Sequence, residues 1–348
     1  MFFRKSPYLH RSDVRPAKVL ALYSSTFIGE IRIKPYLNAL LGRGVIADYQ
    51  VADRAMTMEG LKTYSFTHIW CQRNVSTAQF AFLKANSHVP IIYDMDDLLT
   101  SMPDFVASSK RTMLNRVAWC LKHAAAITVA SDRLKASLQE DAPVSADRIM
   151  VLKNGCSQCA PPERADGRRQ LVWTSSDVPF FLRENPQFAT NLATLLNREG
   201  YEAILIGQFD QDLRGLFERS RHIGHLDFTS YRGYLRTLAG GVAIAPMPTR
   251  LPQQAQRYFD AKSDVKLVDY LSSGLIPIVS DAASYATSEL FMPQLAASDA
   301  DALLQRLATC IANRKAATQA VDAVIHQPGL LKHREFSELS KSLDSLFV

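Results

Sequence analysis

The stretch Phe259–Asp281, FDAKSDVKLVDYLSSGLIPIVSD, joins two kinds of periodicity within 23 residues. Val265–Ser273 places apolar residues at helical spacing, and Gly274 follows as a stop. LIPIVSD is then a short apolar run of the kind a strand buries on both faces. Ahead of the helix lies a charged loop, AKSD, in which Ser263 or Asp264 is suited to the N-cap position. A helix start carries free backbone N–H groups and the positive end of the dipole, so it attracts anions. Lys262 and Lys266 add positive charge on that side, and Asp269 lies a little over one turn beyond Asp264. The pattern suits a diphosphate at the helix start and a carboxylate for sugar hydroxyls further along. The same spacing also serves an ordinary helix with a solvated first turn.

Working outward, strand and helix patterns alternate. Ala17–Ser25, Thr67–Gln72, Val89–Asp97, Ala126–Ser131 and Arg148–Asn154 read as strands, with helices over Ile31–Gly44, Ser76–Asn86, Arg111–Ala126 and from Asp132. Cys156–Arg169 has two prolines, mixed charge and no apolar period, and reads as a connection. The rhythm then restarts with RQLVWTSS, a helix over Pro186–Glu199 closed by Gly200, and the strands EAILIGQ and GVAIAPMP. Such alternation predicts two doubly wound α/β domains with parallel sheets. The expected division is a basic tail over 1–16, a first Rossmann-like domain over 17–160, a linker over 161–168, a second over 169–325, and a C-terminal helix over 326–348. Chemistry is expected beyond the carboxyl ends of the strands.

Composition narrows the classes. The chain has 348 residues, 47% hydrophobic and 21% charged, which is ordinary for a globular protein. No apolar run is long enough to cross a membrane, and MFF followed by Arg4 and Lys5 lacks a signal-peptide core; a cytoplasmic protein is the expectation. Five cysteines make an odd count. Cys71, Cys120 and Cys310 sit in apolar runs, and Cys156/Cys159 is a lone CxxC without the further ligands a zinc site needs. The net charge of +6 is concentrated early, where Arg4, Lys5, Arg11, Arg15 and Lys18 face Asp13 alone. That fits either a solvated tail or contact with an anionic surface. No nucleic-acid-reading motif is present.

Other residues suit catalysis. Asp94, Asp96 and Asp97 crowd a strand end, so burial demands partners or raised pKa values. Ser175, Ser176 and Arg183 follow the first strand of the second half, where an arginine could meet charge on a leaving group. His222–His225 spells HIGH, the signature of class I aminoacyl-tRNA synthetases, but stands deep in the second half with no KMSKS downstream. Leu114, Val117, Trp119 and Leu121, flanked by Arg111, Arg116 and Lys122, form a stripe that suits either the core or a lipid surface.

The Phe259–Asp281 run resembles the nucleotide-sugar segment of family-4-like glycosyltransferases (glycosyltransferase group 1), in the KSDxK/YDxDD subgroup of bacterial surface-polysaccharide enzymes. The residues that match are Lys262-Ser263-Asp264, Lys266, Asp269-Tyr270, Gly274, Pro277 and Val279-Ser280. Arg32–Leu40, Gln72-Arg73, Tyr93–Asp97, Ala126–Ser131, Val151–Gly155 and the segment from Tyr231 to Pro248 match in order, so the resemblance spans nearly the whole chain. The wider family carries a Glu-x7-Glu pair; its second Glu falls at Asp269 and its first at Ala261. The resemblance implies a GT-B fold, two Rossmann-like domains facing a cleft, and a retaining, metal-independent transfer from a nucleotide-sugar donor to a glycan or lipid-linked acceptor, with no cofactor. It places the donor on Ser175, Ser176, Lys262, Ser263, Asp264, Lys266 and Asp269, and the catalytic work on Asp97, Asp96 and Arg183, with Asp94 structural. A nucleotide-sugar epimerase and a non-catalytic binding protein remain the alternatives.

Overall fold

The computed structural model describes residues 16–54, 61, 64–103, 110–165, 167–175, 178–327 and 329–347; Ser176 and nearly all of the basic tail lie outside them. Two compact units are present. The first holds six strands: β1 (Ala17–Leu22), β2 (Ile46–Ala52), β3 (His68–Gln72), β4 (Ile91–Met95), β5 (Ala126–Val129) and β6 (Ile149–Val151). The second holds β7 (Gln170–Ser175), β8 (Glu202–Gly207), β9 (Ser220–Ile223), β10 (Val242–Ala245), β11 (Ile276–Ser280) and β12 (Ala296–Ala297). Every strand pairing within the two sheets is parallel. The orders are β2-β1-β3-β4-β5-β6 and β12-β11-β10-β7-β8-β9.

These orders locate the crevices. In a doubly wound sheet the strand order reverses at one point, and helices leaving opposite faces there open a gap at the carboxyl ends. The reversal lies between β1 and β3 in the first sheet and between β7 and β10 in the second. Gln72-Arg73 and Ser175 fall at the ends of β3 and β7, and Tyr93–Asp97 ends the neighbouring β4.

Burial explains the elements. β4 and β11 are buried along their whole length, which is why both read as mostly apolar runs, with Asp94 the charged exception in β4. Helix Phe188–Glu199 turns Phe188, Leu192, Leu195 and Leu196 inward and ends at Gly200 in the left-handed conformation, φ 66°. Trp173 on β7 meets Phe188 and Phe209 edge to face at 5.8 and 5.3 Å. In the first unit, helix Thr26–Arg32 passes so close to Tyr23 that a Cβ on Gly29 would collide with its ring.

The unit boundary falls after Leu152, not at 160, and the stretch from Phe336 belongs to the first unit. Phe336 stands edge-on to Tyr36 at 5.0 Å, and Phe347 packs near His68 and Trp70 at 5.3 and 6.3 Å. Cys156 and Cys159 are joined as a disulfide, although the odd cysteine count gave no reason to expect one. The lipid-facing stripe is in part core: Val117 and Leu121 are buried, while Trp119 stacks on His123 and meets Phe80 edge to face. No described helix is long and apolar enough to cross a membrane.

Candidate functional site

In the second unit the site grows from the end of β7. Thr174, near the end of that strand, is buried, and its carbonyl accepts from Lys266 Nζ at 2.7 Å. Its hydroxyl contacts Lys266 Nζ as well and lies 2.8 Å from the Tyr270 hydroxyl. Tyr270 in turn donates to Ile244 O at 3.1 Å. One turn of helix Val265–Ser272 thus anchors a lysine and a tyrosine across the β7/β10 reversal, which fixes an ammonium beside the helix start.

Asp264 occupies the N-cap position, but its side chain does not cap the helix. It is buried and taken by Arg334, Nη2 to Oδ2 at 2.5 Å and Nη1 to Oδ1 at 3.3 Å, and it accepts from Ser288 Oγ at 2.5 Å. Arg334 also binds Glu289 Oε1 at 2.7 Å and Asn154 O at 3.1 Å. Burial alone would raise the Glu289 carboxyl; the hydrogen bond and charge of Arg334 overcome it and bring it down to about 2. Asn154 Nδ2 donates to Ser263 Oγ at 2.7 Å. The KSD loop is therefore held from behind by buried polar bonds, and the first N–H groups of the helix carry no side-chain cap. That leaves the helix start open to an anion.

Asp269 is 3% exposed. Arg232 Nε and Nη2 both donate to its Oδ1, at 2.9 and 2.7 Å. Lys262 lies with its ammonium 5.1 Å from the Tyr258 ring centroid. Ala261, where the wider family has its first Glu, is fully buried. Arg183 is exposed in the last turn of helix Val178–Glu184, not at its start. Ser175 closes β7.

The first unit gathers its polar residues at the carboxyl ends of β3 and β4, next to the β1/β3 reversal. Asp94 is fully buried. Its carboxylate accepts from Arg32 Nη2 and Nε at 2.8 and 3.2 Å and from Thr128 Oγ1 at 2.7 Å. Both partners of this bidentate pair are buried. Asp96 and Asp97 instead share Arg73, whose Nε is 3.0 Å from Asp96 Oδ1 and whose Nη2 meets Asp97 Oδ2. Burial pushes Asp96 up to about 6, with the Arg73 charge opposing and the Asp97 charge adding.

Arg73 is the sole non-glycine with positive φ among the described residues, at 49°. Such a conformation costs energy and persists where surroundings impose it. Here the Arg73 N–H donates to Asp94 O at 2.8 Å, and Tyr93 Oη donates to Arg73 O at 2.9 Å. The result is an arginine aimed at two aspartates at a sheet's carboxyl edge. Gln72-Arg73 was visible as a motif, but nothing in its spacing signalled this turn. Arg334 carried no sequence signal, and Arg32 and Arg232 stood only inside matched stretches with no role read from them, because each meets its partner from far along the chain.

Among the described residues no cluster of three His, Cys, Asp or Glu side chains suits a metal. His222 lies on edge strand β9, exposed, with Arg214 and Gly207 O as partners; the HIGH motif opens no helix.

No family model matches the sequence, and no curated protein does. Solved structures match the fold. HepE from Anabaena, in complex with UDP and glucose, aligns over 95% of this chain and 99% of its own at 13% identity, TM-score 0.62. Sucrose-phosphate synthase from Thermosynechococcus elongatus aligns over 95% and 98% at 12% identity, TM-score 0.64. WaaG, a glycosyltransferase of lipopolysaccharide biosynthesis, aligns over 95% and 99% at 10% identity, TM-score 0.61. With its two six-stranded parallel sheets, this chain has the GT-B fold.

Proposed function

We propose that this protein is a glycosyltransferase that moves a sugar from a nucleotide-sugar donor to a hydroxyl of a glycan or lipid-linked acceptor. The observation that carries the reading is the pairing of Lys266 with Thr174 at the β7/β10 reversal, beside a helix start without a side-chain cap. That arrangement offers positive charge and free N–H groups where this topology binds ligands. The fold neighbours add weight, since HepE has been crystallised with UDP-glucose.

In this reading Lys266, Lys262, Ser263 and the helix N–H groups hold the diphosphate, and Asp269 accepts from the ribose. Ser175, Ser176 and Arg183 extend the phosphate site, while Asp264 acts from behind through Arg334. As the bond from anomeric carbon to phosphate oxygen breaks, the acceptor oxygen bonds to that carbon. The nucleoside diphosphate departs with its charge met by Lys266 and the helix dipole, without a metal. The acceptor proton passes to the Asp96/Asp97 pair, with Asp97 as the base and Arg73 setting its position. Retention of configuration and a role in bacterial surface-polysaccharide synthesis follow the resemblance. A lipid-linked acceptor would bring the chain to an anionic membrane, and half-buried Phe80 and Trp119 beside exposed Lys84 and Lys122 suit that contact.

The test is nucleotide release from UDP-, GDP- and ADP-sugars with and without acceptor lipids. Acceptor-dependent release supports transfer, epimer formation without acceptor supports an epimerase, and binding with neither supports a binding protein. Lys266→Ala and Asp269→Ala should each weaken nucleotide binding about 10- to 100-fold, the scale of a lost charge-assisted hydrogen bond, with the fold retained. Asp97→Asn should bind nucleotide normally and lose transfer. Unchanged affinity in Lys266→Ala removes the donor from this helix.

A further inference from the structure

Arg232 is held on several sides at once. Its Nε and Nη2 donate to Asp269 Oδ1 at 2.9 and 2.7 Å. Its Nη2 also donates to Gly155 O at 2.6 Å, and its guanidinium carbon lies 4.3 Å from the Phe228 ring centroid. Helix Phe228–Thr237 supplies both Phe228 and Arg232 one turn apart, so the ring and the cation stack by helical spacing. Asp269 sits on helix Val265–Ser272 and is 3% exposed.

Two consequences follow from the geometry. A carboxylate so little exposed needs a fixed counter-charge, and a planar guanidinium already pinned by a carbonyl and a ring supplies one that does not wander. Both donors converge on Oδ1. Among the described residues Oδ2 has no partner, so it keeps its lone pairs, and rotation of the carboxylate would break two hydrogen bonds. The pair is therefore an oriented acceptor with one oxygen spoken for.

We infer that Arg232 is a positioning residue for ribose recognition: it locks the Asp269 carboxylate so that Oδ2 accepts from the vicinal ribose hydroxyls of the donor nucleotide. This rests on the reading of helix Val265–Ser272 as the donor site, and it assigns the discrimination between ribose and deoxyribose to an arginine that does not touch the sugar. A lysine cannot replace it, because one ammonium cannot satisfy Oδ1 twice, reach Gly155 O and stack flat on Phe228.

The experiment is calorimetry on the full chain with UDP, GDP and ADP, followed by the 2′-deoxy and 3′-deoxy forms of whichever binds. Wild type should lose roughly tenfold or more in affinity on removal of a hydroxyl, the scale of one hydrogen bond to a charged group. In Arg232→Lys and Arg232→Gln the ribonucleotide should bind only as well as its deoxy form, while the deoxy form binds wild type and variants within about twofold. Phe228→Leu, which removes the ring and leaves every hydrogen bond, should reduce the discrimination in part and serves if the arginine variants do not fold. Variants that keep the wild-type discrimination, or that lose affinity for ribose and deoxyribose forms equally, overturn the inference and leave the donor site standing. A wild-type protein that binds no nucleoside diphosphate, or binds one without regard to its hydroxyls, overturns the placement of the ribose on Asp269 itself.

Discussion

Asp94→Asn isolates the cost of a buried ion pair in the first unit. Arg32 and Asp94 are 1% and 0% exposed. They are joined by bonds of 2.8 and 3.2 Å, and Arg32 Nη1 also reaches Leu152 O at 2.6 Å. Asparagine keeps the shape but removes the charge, leaving a guanidinium buried against a neutral amide. Breaking a buried pair from one side costs about 3–5 kcal/mol, against a total domain stability of roughly 5–15 kcal/mol. With a urea slope of about 2 kcal/mol per molar for a domain of this size, the unfolding midpoint of the first unit should fall by about 1.5–2.5 M. Trp70 and Trp119 report on that unit when Trp173 is replaced by Phe, so fluorescence in the Trp173→Phe background follows it alone. The double variant Arg32→Met with Asp94→Leu should recover about half of the loss. It removes both charges but leaves Leu152 O and the Thr128 hydroxyl without a buried partner. A midpoint shift below about 0.5 M in Asp94→Asn would refute the reasoning, since an ion pair that weak cannot be desolvated.

Two further outcomes concern catalysis and location. Burial raises Asp96 to about 6, and the Asp96/Asp97 pair takes up the acceptor proton only while Asp96 is ionised, so kcat/KM should fall as pH drops through about 6. Arg73→Gln removes a charge that lowers the Asp96 value, so this limb should move to higher pH; an unmoved or lower limb refutes the role of Arg73. For the membrane contact, wild type should cosediment with vesicles containing anionic lipid, and Trp119→Ser with Lys84→Glu should abolish this while leaving transfer to a soluble acceptor intact. Equal sedimentation of both proteins would exclude that patch.

The parts of the fold legible in the sequence were those set by local spacing. Helix Phe188–Glu199 announces itself by its apolar period and Gly200, and β4 and β11 by runs buried on both faces. β2 alternates weakly, with only its two ends buried, and β9 is a short exposed edge; neither carries a period strong enough to read. The candidate site divides the same way. Helix Val265–Ser272 with its lysines was legible because residues of one turn are neighbours in sequence. The arginines that organise the site were not, because Arg334 meets Asp264 and Arg232 meets Asp269 only after the chain has folded. A carboxylate reads the same in sequence whether it faces a ligand or is buried beneath an arginine, and Asp264 and Asp94 are both of the second kind.

The tail from Phe336 to Phe347 sets an order on the birth of the protein. Tyr36 and Trp70, made early, pack with Phe336 and Phe347, which follow the whole second unit in the chain. The whole of Lys153–Glu335 must be translated in between, roughly 10–40 s at ~5–20 residues per second. During that interval the nascent first unit exposes an apolar face that its own sequence cannot yet cover. The later unit can close first, and a chain that lacks Phe336–Phe347 would leave the earlier unit unfinished.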